Sequence, residues 1–292
     1  MTTAAEPWTT RRLLDWLRGA LKDKGIDDAR LCAELLVAHA IGCERLRLYM
    51  EADRPATPEE LSALRDLAKR ALNHEPVQYL VGLWPFYGIA LKTDKRALIP
   101  RPETQTLVDQ AVTAIKPIAD RAPLVADVCT GGGCVAIAIA SQAHTALVHA
   151  CDIDADALAL ASENIERTNL ADRVTTFAGD LLAALPQRQA YDAIVANPPY
   201  IPDDEWAAVA PNVKDHEPTH ALRGGADGLD LVRPIIAQAA DRLVQGGLLA
   251  IEVASSRAEQ AAAILEADAR YQGAAIVRDF AGRPRVVIAT RA

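Results

Sequence analysis

Aromatic residues are scarce, 4% of a chain of 292, and the apolar half of the composition rests on alanine, valine, leucine and isoleucine. No uninterrupted apolar run approaches the roughly 18 residues of a membrane-spanning helix, so no membrane partner is expected. Cysteine is sparse as well. Cys32, Cys43, Cys129, Cys134 and Cys151 form no even set and no CxxC pair, which excludes a disulfide framework and the usual zinc spacings. A basic excess is missing: 31 Lys and Arg against 39 Asp and Glu leave a net charge of -8. Gripping a phosphate backbone needs clustered cations, so no direct nucleic-acid partner is expected. The N-terminus lacks the basic-then-apolar order of a secretory signal, and with unpaired cysteines the expected location is cytoplasmic. There is no P-loop, no nucleophile elbow and no GxGxxG dinucleotide fingerprint.

What is present is patterned. Apolar residues make up 50% and charged residues 24%, the balance of a folded globular chain. Up to Glu75 the sequence reads helix after helix. Thr9 and Thr10 cap a segment whose Leu13, Leu14, Trp16, Leu17 and Leu21 share a face, ending at Gly25. Asp28 opens a second helix that ends at Gly42. Thr57-Pro58-Glu59-Glu60 is a capping box with proline at the first helical position, predicting a third helix to about Asn73. Residues 76–99 change character: Tyr79, Leu80, Val81, then Phe86, Tyr87, Ile89 and Leu91 alternate around glycines and predict a hairpin between two domains. Pro100-Arg101-Pro102-Glu103-Thr104 then starts a helix.

From 123 onward strands and helices alternate. Strands are predicted at 124–128, 146–151, 174–178, 191–196, 247–253, 274–277 and 285–289, with helices at 135–141, 156–168, 229–243 and 258–267. Intervening helices of this length mean parallel crossovers, hence an open α/β sheet covered on both faces. The last two strands lack a helix between them and form an antiparallel pair at one edge.

Two motifs sit at strand ends, where open sheets bind ligands. The first is Asp127-Val128-Cys129-Thr130-Gly131-Gly132-Gly133. Its glycines allow positive φ and close backbone approach, with a helix N-terminus behind. Asp152 ends the next strand, placed to accept both ribose hydroxyls of an adenosine-containing ligand, and Asp180 follows the third, placed for the adenine edge. The second motif is Asn197-Pro198-Pro199-Tyr200. Its prolines hold the chain extended and remove donors, so carbonyl oxygens and the asparagine oxygen face outward as acceptors beside a flat ring. A planar NH2 group needs such a site in order to be methylated. An amide lone pair is delocalised, and converging acceptors on its two protons favour a pyramidal nitrogen aimed at an electrophilic methyl. No metal or covalent intermediate is required.

These motifs resemble the class I methyltransferases that use S-adenosyl-L-methionine on planar nitrogen. Leu98-Ile99-Pro100-Arg101-Pro102-Glu103-Thr104, Pro76-Val77-Gln78-Tyr79-Leu80 with Phe86-Tyr87-Gly88, and Glu217-Pro218 followed by Ala221–Leu229 narrow the resemblance to the HemK/PrmC family. The resemblance covers nearly the whole chain. It implies methylation of the side-chain nitrogen (N5) of the glutamine in the Gly-Gly-Gln motif of peptide chain release factors. It also implies a Rossmann-like, seven-stranded, mostly parallel sheet (100–292) preceded by a helical substrate-recognition bundle (1–75) and a hairpin linker (76–99). Residue by residue, Cys129, Thr130, Gly131, Gly132 and Gly133 would wrap the methionine end of the cofactor, Asp152 would hold its ribose, and Leu181 would lie beside adenine. Asn197 would touch both cofactor and glutamine, with Pro198, Pro199 and Tyr200 lining the glutamine slot. Arg101 and Glu103 would brace the entrance or form a structural ion pair.

The sequence departs from the family pattern at Cys129, where the family has glycine, at Leu181, often aromatic, and at Gln105, commonly glutamate. Ile251–Ser256 also lacks the usual glycine after the strand. A CTGGG run resembles the branch that methylates a glutamine of a large-subunit ribosomal protein, which stays open as a substrate. A nucleic-acid amino-methyltransferase and a binding module without turnover are the remaining alternatives. His216 and His220 lack a third ligand and are read as solvated or loop-pinning, and Trp206 as lid packing or a partner contact.

Overall fold

A computed structural model describes residues 6–188 and 190–292. The chain forms two compact units. The first runs to Leu83 and takes in Ala210–His216, and the second is made of Trp84–Val209 and Glu217–Ala292.

The first unit contains α1 (Thr10–Asp23), α2 (Ala29–Ile41), α3 (Arg45–Met50), α4 (Pro58–Ala71) and α5 (Val77–Val81). Thr9 caps α1 through its hydroxyl, which accepts the Arg12 N–H at 3.4 Å, and Leu13, Leu17 and Leu21 are buried along one face, whereas Trp16, read with them, is exposed, one residue before Leu17 and so turned about 100° off that face. The Thr57–Glu60 capping box is formed in full. These helices enclose a single apolar core that includes Leu36, Val37, Leu48 and Leu64. The alternation read through Tyr79, Leu80 and Val81 is not a strand. Val77 and Leu80, three apart, are the buried pair of a short helix that packs on α2 and α4 and stops at Gly82, φ +72. Among the described residues of this unit, one charged side chain is buried. Burial would raise the Glu34 carboxyl, but bonds from Tyr49, Arg45 and Arg30 outweigh it and hold it at about 2.

The hairpin follows, β1 (Leu83–Phe86) and β2 (Ile89–Lys92). Phe86 and Leu91 belong to a core of the second unit, and Asn164 clamps the hairpin there, accepting Lys92 N–H at 2.7 Å and donating to the Lys92 carbonyl at 3.1 Å. The second unit continues with α6 (Gln105–Ile115), β3 (Leu124–Val128), α7 (Cys134–Gln142), β4 (Leu147–Asp152), α8 (Ala155–Arg167), β5 (Val174–Ala178) and β6 (Tyr191–Ala196). After α9 (Pro211–Lys214), in the inserted segment, come α10 (Val232–Ala239), β7 (Leu243–Glu252), α11 (Ala258–Ala267), β8 (Tyr271–Arg278) and β9 (Pro284–Arg291). Helix α10 is shorter than the span 229–243 suggested by its apolar residues, because Leu243 already pairs with Tyr191 and begins a bulged β7.

The sheet order is β5-β4-β3-β6-β7-β9-β8, parallel except for the β9 pairings that make the antiparallel edge. Central strands read as unbroken apolar runs because both faces are covered. Ala126, Val128, Ile194 and Ala196 face one core, while Val125, Ala193 and Val195 face the other. Among the described residues no helix is long and apolar enough to cross a membrane. Replacing Thr57 with Ala removes the hydroxyl that accepts Glu60 N–H, leaving only the backbone N–H of residue 57 to Glu60, and is expected to lower unfolding free energy by about 1 kcal/mol in denaturant titration, with an unchanged midpoint as the contrary result.

Candidate functional site

Strand order reverses at the centre of the sheet: the chain leaves β3 for β4 and β5, then returns to β6 on the opposite side of β3. Val128 is paired with both Cys151 and Ala196, so three strands end level. The next residues, Cys129, Asp152 and Asn197, therefore emerge at one rim, and all three line a cleft of about 830 Å³ counting its open mouth. Thr130, Gly131, Gly132, Pro199 and Arg101 also line it. Asp127, Gly133, Asp180, Leu181, Pro198, Tyr200 and Glu103 are not among its lining residues.

The turn after β3 needs left-handed backbone at Cys129 (φ +60), Gly131 (φ +55) and Gly133 (φ +83). At Gly133 a Cβ would also meet Ala161 Cβ at 3.2 Å, so only glycine fits there. Cys129 adopts a conformation that costs a side-chain-bearing residue energy, and burial pushes its thiol up, so it behaves as an inert packed group. Asp127 anchors the turn from below. Its Oδ2 accepts the Thr130 hydroxyl at 2.6 Å and Ala136 N–H at 3.0 Å, whereas its Oδ1 is buried with no partner. Burial pushes this carboxyl up to about 7, against the pull of those two bonds.

Asp152 stands opposite the glycines. Gly131 N–H donates to its Oδ2 at 2.8 Å and Asp154 N–H to its Oδ1 at 3.0 Å. Burial raises its pKa above the ordinary carboxylate value, and these bonds oppose the rise. Asp154 caps α8 and holds His220 Nε2 at 2.7 Å across the mouth of the cleft. His216 Nε2 lies 3.2 Å from the Asn73 carbonyl, within the first unit, so both histidines pin loops. Asp180 is exposed on the rim, and Leu181, at φ +47, is buried with its carbonyl accepting the Cys151 thiol at 3.3 Å.

At the end of β6, Asn197 Nδ2 approaches Thr104 Oγ1 at 3.5 Å, and the Tyr200 hydroxyl donates to Glu252 Oε1 at 3.2 Å. The Tyr200 hydroxyl is thus turned to the end of β7. Two glycines from the later loop seat this segment. A Cβ on Gly224 would lie 2.8 Å from the Pro199 carbonyl oxygen and from Tyr200 Cα, and one on Gly228 would lie 2.5 Å from the Tyr200 carbonyl oxygen. Backbone bonds Ile201 N–H to Leu222 O (2.9 Å) and Gly224 N–H to Ile201 O (2.9 Å) complete the seat.

The entrance differs from expectation. Arg101 is paired with Glu217, not Glu103, and Glu217, buried, also accepts Ile99 N–H at 3.0 Å. Trp206 is half-buried under the Arg223 guanidinium, 5.4 Å from its ring centre. Reading the sequence missed Thr104, Glu217 and Glu252 as parts of the site. For Glu252 a signal was there: one carboxylate within the apolar run Leu248–Ala254.

Comparison with known proteins agrees with this architecture. The family profile of the PrmC N-terminal domain matches residues 12–82, and that of the methyltransferase small domain matches 104–213. A release factor glutamine methyltransferase of Rhodopirellula baltica is 38% identical over 98% of this chain and 97% of its own length. That of Geobacter sulfurreducens is 42% identical over 89% of each. Among solved structures, a methyltransferase from Pyrococcus furiosus (TM-score 0.51, 17% identity) covers 79% of this chain and 98% of its own. The hMettl16 catalytic domain in complex with the MAT2A 3'UTR hairpin 1 (TM-score 0.56, 15% identity) covers 80% of each chain, and at these identities the likeness is one of fold.

Gly224→Ala is expected to destabilise the protein by about 1–3 kcal/mol, as overpacking does, because backbone must move to admit the methyl. Gly19→Ala, in α1 with open space around it, is expected to stabilise by about 0.5–1 kcal/mol. Equal unfolding midpoints for the two variants would contradict the seating described.

Proposed function

Because the chain belongs to the family of release factor glutamine methyltransferases, we propose that it transfers a methyl group from S-adenosyl-L-methionine to the N5 amide nitrogen of the Gly-Gly-Gln glutamine of peptide chain release factors. The residues at the strand ends fit that cofactor. The turn is stripped of side chains at Gly131 and Gly132, where a Cβ at Gly132 would come within 3.3 Å of Leu160 Cδ2. The Asp152 carboxylate, with two backbone N–H groups bound, has further lone pairs for ribose hydroxyls. The orphaned Asp127 oxygen leaves an unsatisfied acceptor beneath the turn, which suits a cationic amino-acid end. When bound, the cofactor supplies a methyl group made electrophilic by its sulfonium.

In this reading Cys129–Gly133 enclose the methionine end, Asp152 the ribose, and Asp180 with Leu181 the adenine. Asn197 Oδ1 and the Pro198 carbonyl accept the two protons of the substrate amide, and Pro199 and Tyr200 form the wall of its slot. Arg101, held by Glu217, stiffens the entrance with Glu103 beside it. Catalysis is positioning and dipole stabilisation of a neutral nucleophile. The observation that carries the reading is the shared register. Val128 opposite Ala196 makes the glycine turn and Asn197 start at the same height on adjacent strands. We assign recognition of the release factor to the helical unit, supported by its exposed Trp16, Leu46, Tyr49 and Met50, and place the enzyme with that substrate in the cytoplasm. The names of the relatives do not favour a ribosomal-protein substrate.

Label from the cofactor is expected to enter a purified release factor and to be absent from one whose motif glutamine is replaced by alanine. Equal labelling of both would reject the reading. Asn197→Ala is expected to lower turnover by about 10²–10³-fold, the effect of removing one preorganised polar group. Asp152→Ala is expected chiefly to weaken S-adenosylhomocysteine binding in calorimetry.

A further inference from the structure

Any protein whose glutamine reaches Asn197 must lie over the rim at which that residue emerges. Parts of the second unit that stand above the rim are therefore parts such a partner meets. The β8–β9 hairpin is one of them. Ala196 pairs with Ile251 and Ile251 with Val287, so the next row across the sheet carries Asn197, Glu252, Val286 and Val277. The turn Asp279–Arg283 lies beyond that row. At about 3.3 Å per residue and about 4.8 Å per strand, its tip stands roughly 10 Å above Asn197 and roughly 14 Å to its side.

The tip is fixed by its own hydrogen bonds. Asp279, buried at its base, accepts the N–H groups of Ala281 and Arg283 on Oδ1, each at 2.9 Å, and Gly282 N–H donates to the Asp279 carbonyl at 2.9 Å. Gly282, φ +77, supplies the left-handed residue of a three-residue hairpin turn. This chemistry specifies positions 279 and 282 and asks nothing of position 280. Yet Phe280 stands there, 77% exposed, and among the described residues no large apolar side chain of the second unit is more exposed. A single exposed apolar residue is ordinary on a protein surface. This one shares its turn with two cations. Arg283 is exposed and forms no ion pair among the described residues, and exposed Arg278 donates to the Gly282 carbonyl at 2.8 Å and meets no carboxylate. In a chain of net charge -8 the tip is thus a local patch of apolar and basic character. It is also braced against the site. The Ser255 hydroxyl donates to the Pro284 carbonyl at 2.7 Å, and the Ser256 hydroxyl to Glu205 Oε1 at 2.7 Å, in the loop that follows Asn-Pro-Pro-Tyr.

We propose that the β8–β9 turn is a docking point for the protein substrate: Phe280, with the Arg278 and Arg283 guanidiniums, receives an apolar side chain flanked by carboxylates on the release factor, to one side of its glutamine loop. The inference rests on the release-factor reading and adds to it a contact on the second unit. A glutamine loop in its slot is a small contact, whereas a whole factor lying over the rim extends sideways past the hairpin. Contacts of this kind draw their affinity from a few aromatic anchors, while opposite charges speed and orient the approach. A nucleic-acid partner would need cations in number along a phosphate backbone, and two on a chain of net charge -8 do not supply them.

The test uses the full-length protein, S-adenosyl-L-methionine and a purified release factor. Phe280→Ala is expected to raise KM for the factor about tenfold with kcat within about twofold, as truncation of an anchoring aromatic does. Its melting temperature, and its affinity for S-adenosylhomocysteine in calorimetry, are expected to match wild type, because the ring is exposed. Arg283→Glu is expected to raise KM by a similar factor at low salt, the gap to wild type closing towards about 0.5 M salt. p-Benzoyl-L-phenylalanine in place of Phe280 is expected to cross-link the factor on irradiation. The same residue in place of Gln272, exposed near the other end of β8, is expected to cross-link none. Wild-type KM in both variants, equal cross-linking from positions 280 and 272, or capture of ribosomal RNA in place of the factor would overturn the proposal. So would a fall in kcat at unchanged KM, which would put the effect of the turn in the chemistry and not in docking. Those outcomes, with an active wild type, remove the role of the turn alone. A wild type that leaves the factor unlabelled rejects the substrate assignment itself, and the inference falls with it.

Discussion

The second unit depends on one constraint, the level ending of β3, β4 and β6. Parallel pairing leaves no freedom once Val128 lies opposite Cys151 and Ala196. Every residue that follows a strand then arrives at the same rim, whatever its distance along the chain. The glycine turn, Asp152 and Asn197 come from three separate segments, yet their relative heights are set by main-chain hydrogen bonds between apolar strands. Loops need only hold what the register has already placed. They do so with backbone bonds from Ile201 and Gly224, and with the Asn164 amide, which donates to the Gly132 carbonyl at 3.0 Å as well as to the hairpin.

The rim also concentrates charge in places that disfavour it. Asp127 lies under the glycine turn and Glu252 under the Asn-Pro-Pro-Tyr segment, each fully enclosed and each with one unpartnered oxygen. Three other buried acids are matched, while Asp279, between β8 and β9, also has an oxygen without a hydrogen-bond partner, 3.7 Å from Arg285. Glu34 has two arginines and a tyrosine, Glu217 has Arg101 and a backbone N–H, and Asp192 has Arg121 and the Leu124 N–H. The contrast separates acids that hold the fold together from acids kept at the site despite their effect on it.

Much of this was legible in the sequence. Thr57 and Glu60 announce a helix start by local chemistry alone, and Asp127 to Gly133 announces a turn because only certain residues tolerate its dihedrals. The apolar strands and their edge hairpin follow from composition and spacing. The parts that were not legible need partners distant in the chain. Arg101 has Glu103 two residues away and yet pairs with Glu217, because the loop containing Glu217 is brought back over Ile99. Tyr79–Val81 looked alternating because three residues are too few to distinguish a period of two from one of three. Glu252 ends an ordinary strand run, and nothing local says that Tyr200 will point at it.

The helical unit is discontinuous: Ala210–His216 belongs to it although the chain has by then completed β6. It is therefore not a detachable cassette. A gene fragment stopped after Leu83 would omit one of its pieces, and a hybrid exchanging the leading helices between relatives would have to exchange that short stretch too. Deletion or recombination therefore cannot cut this protein in one place without dividing a unit.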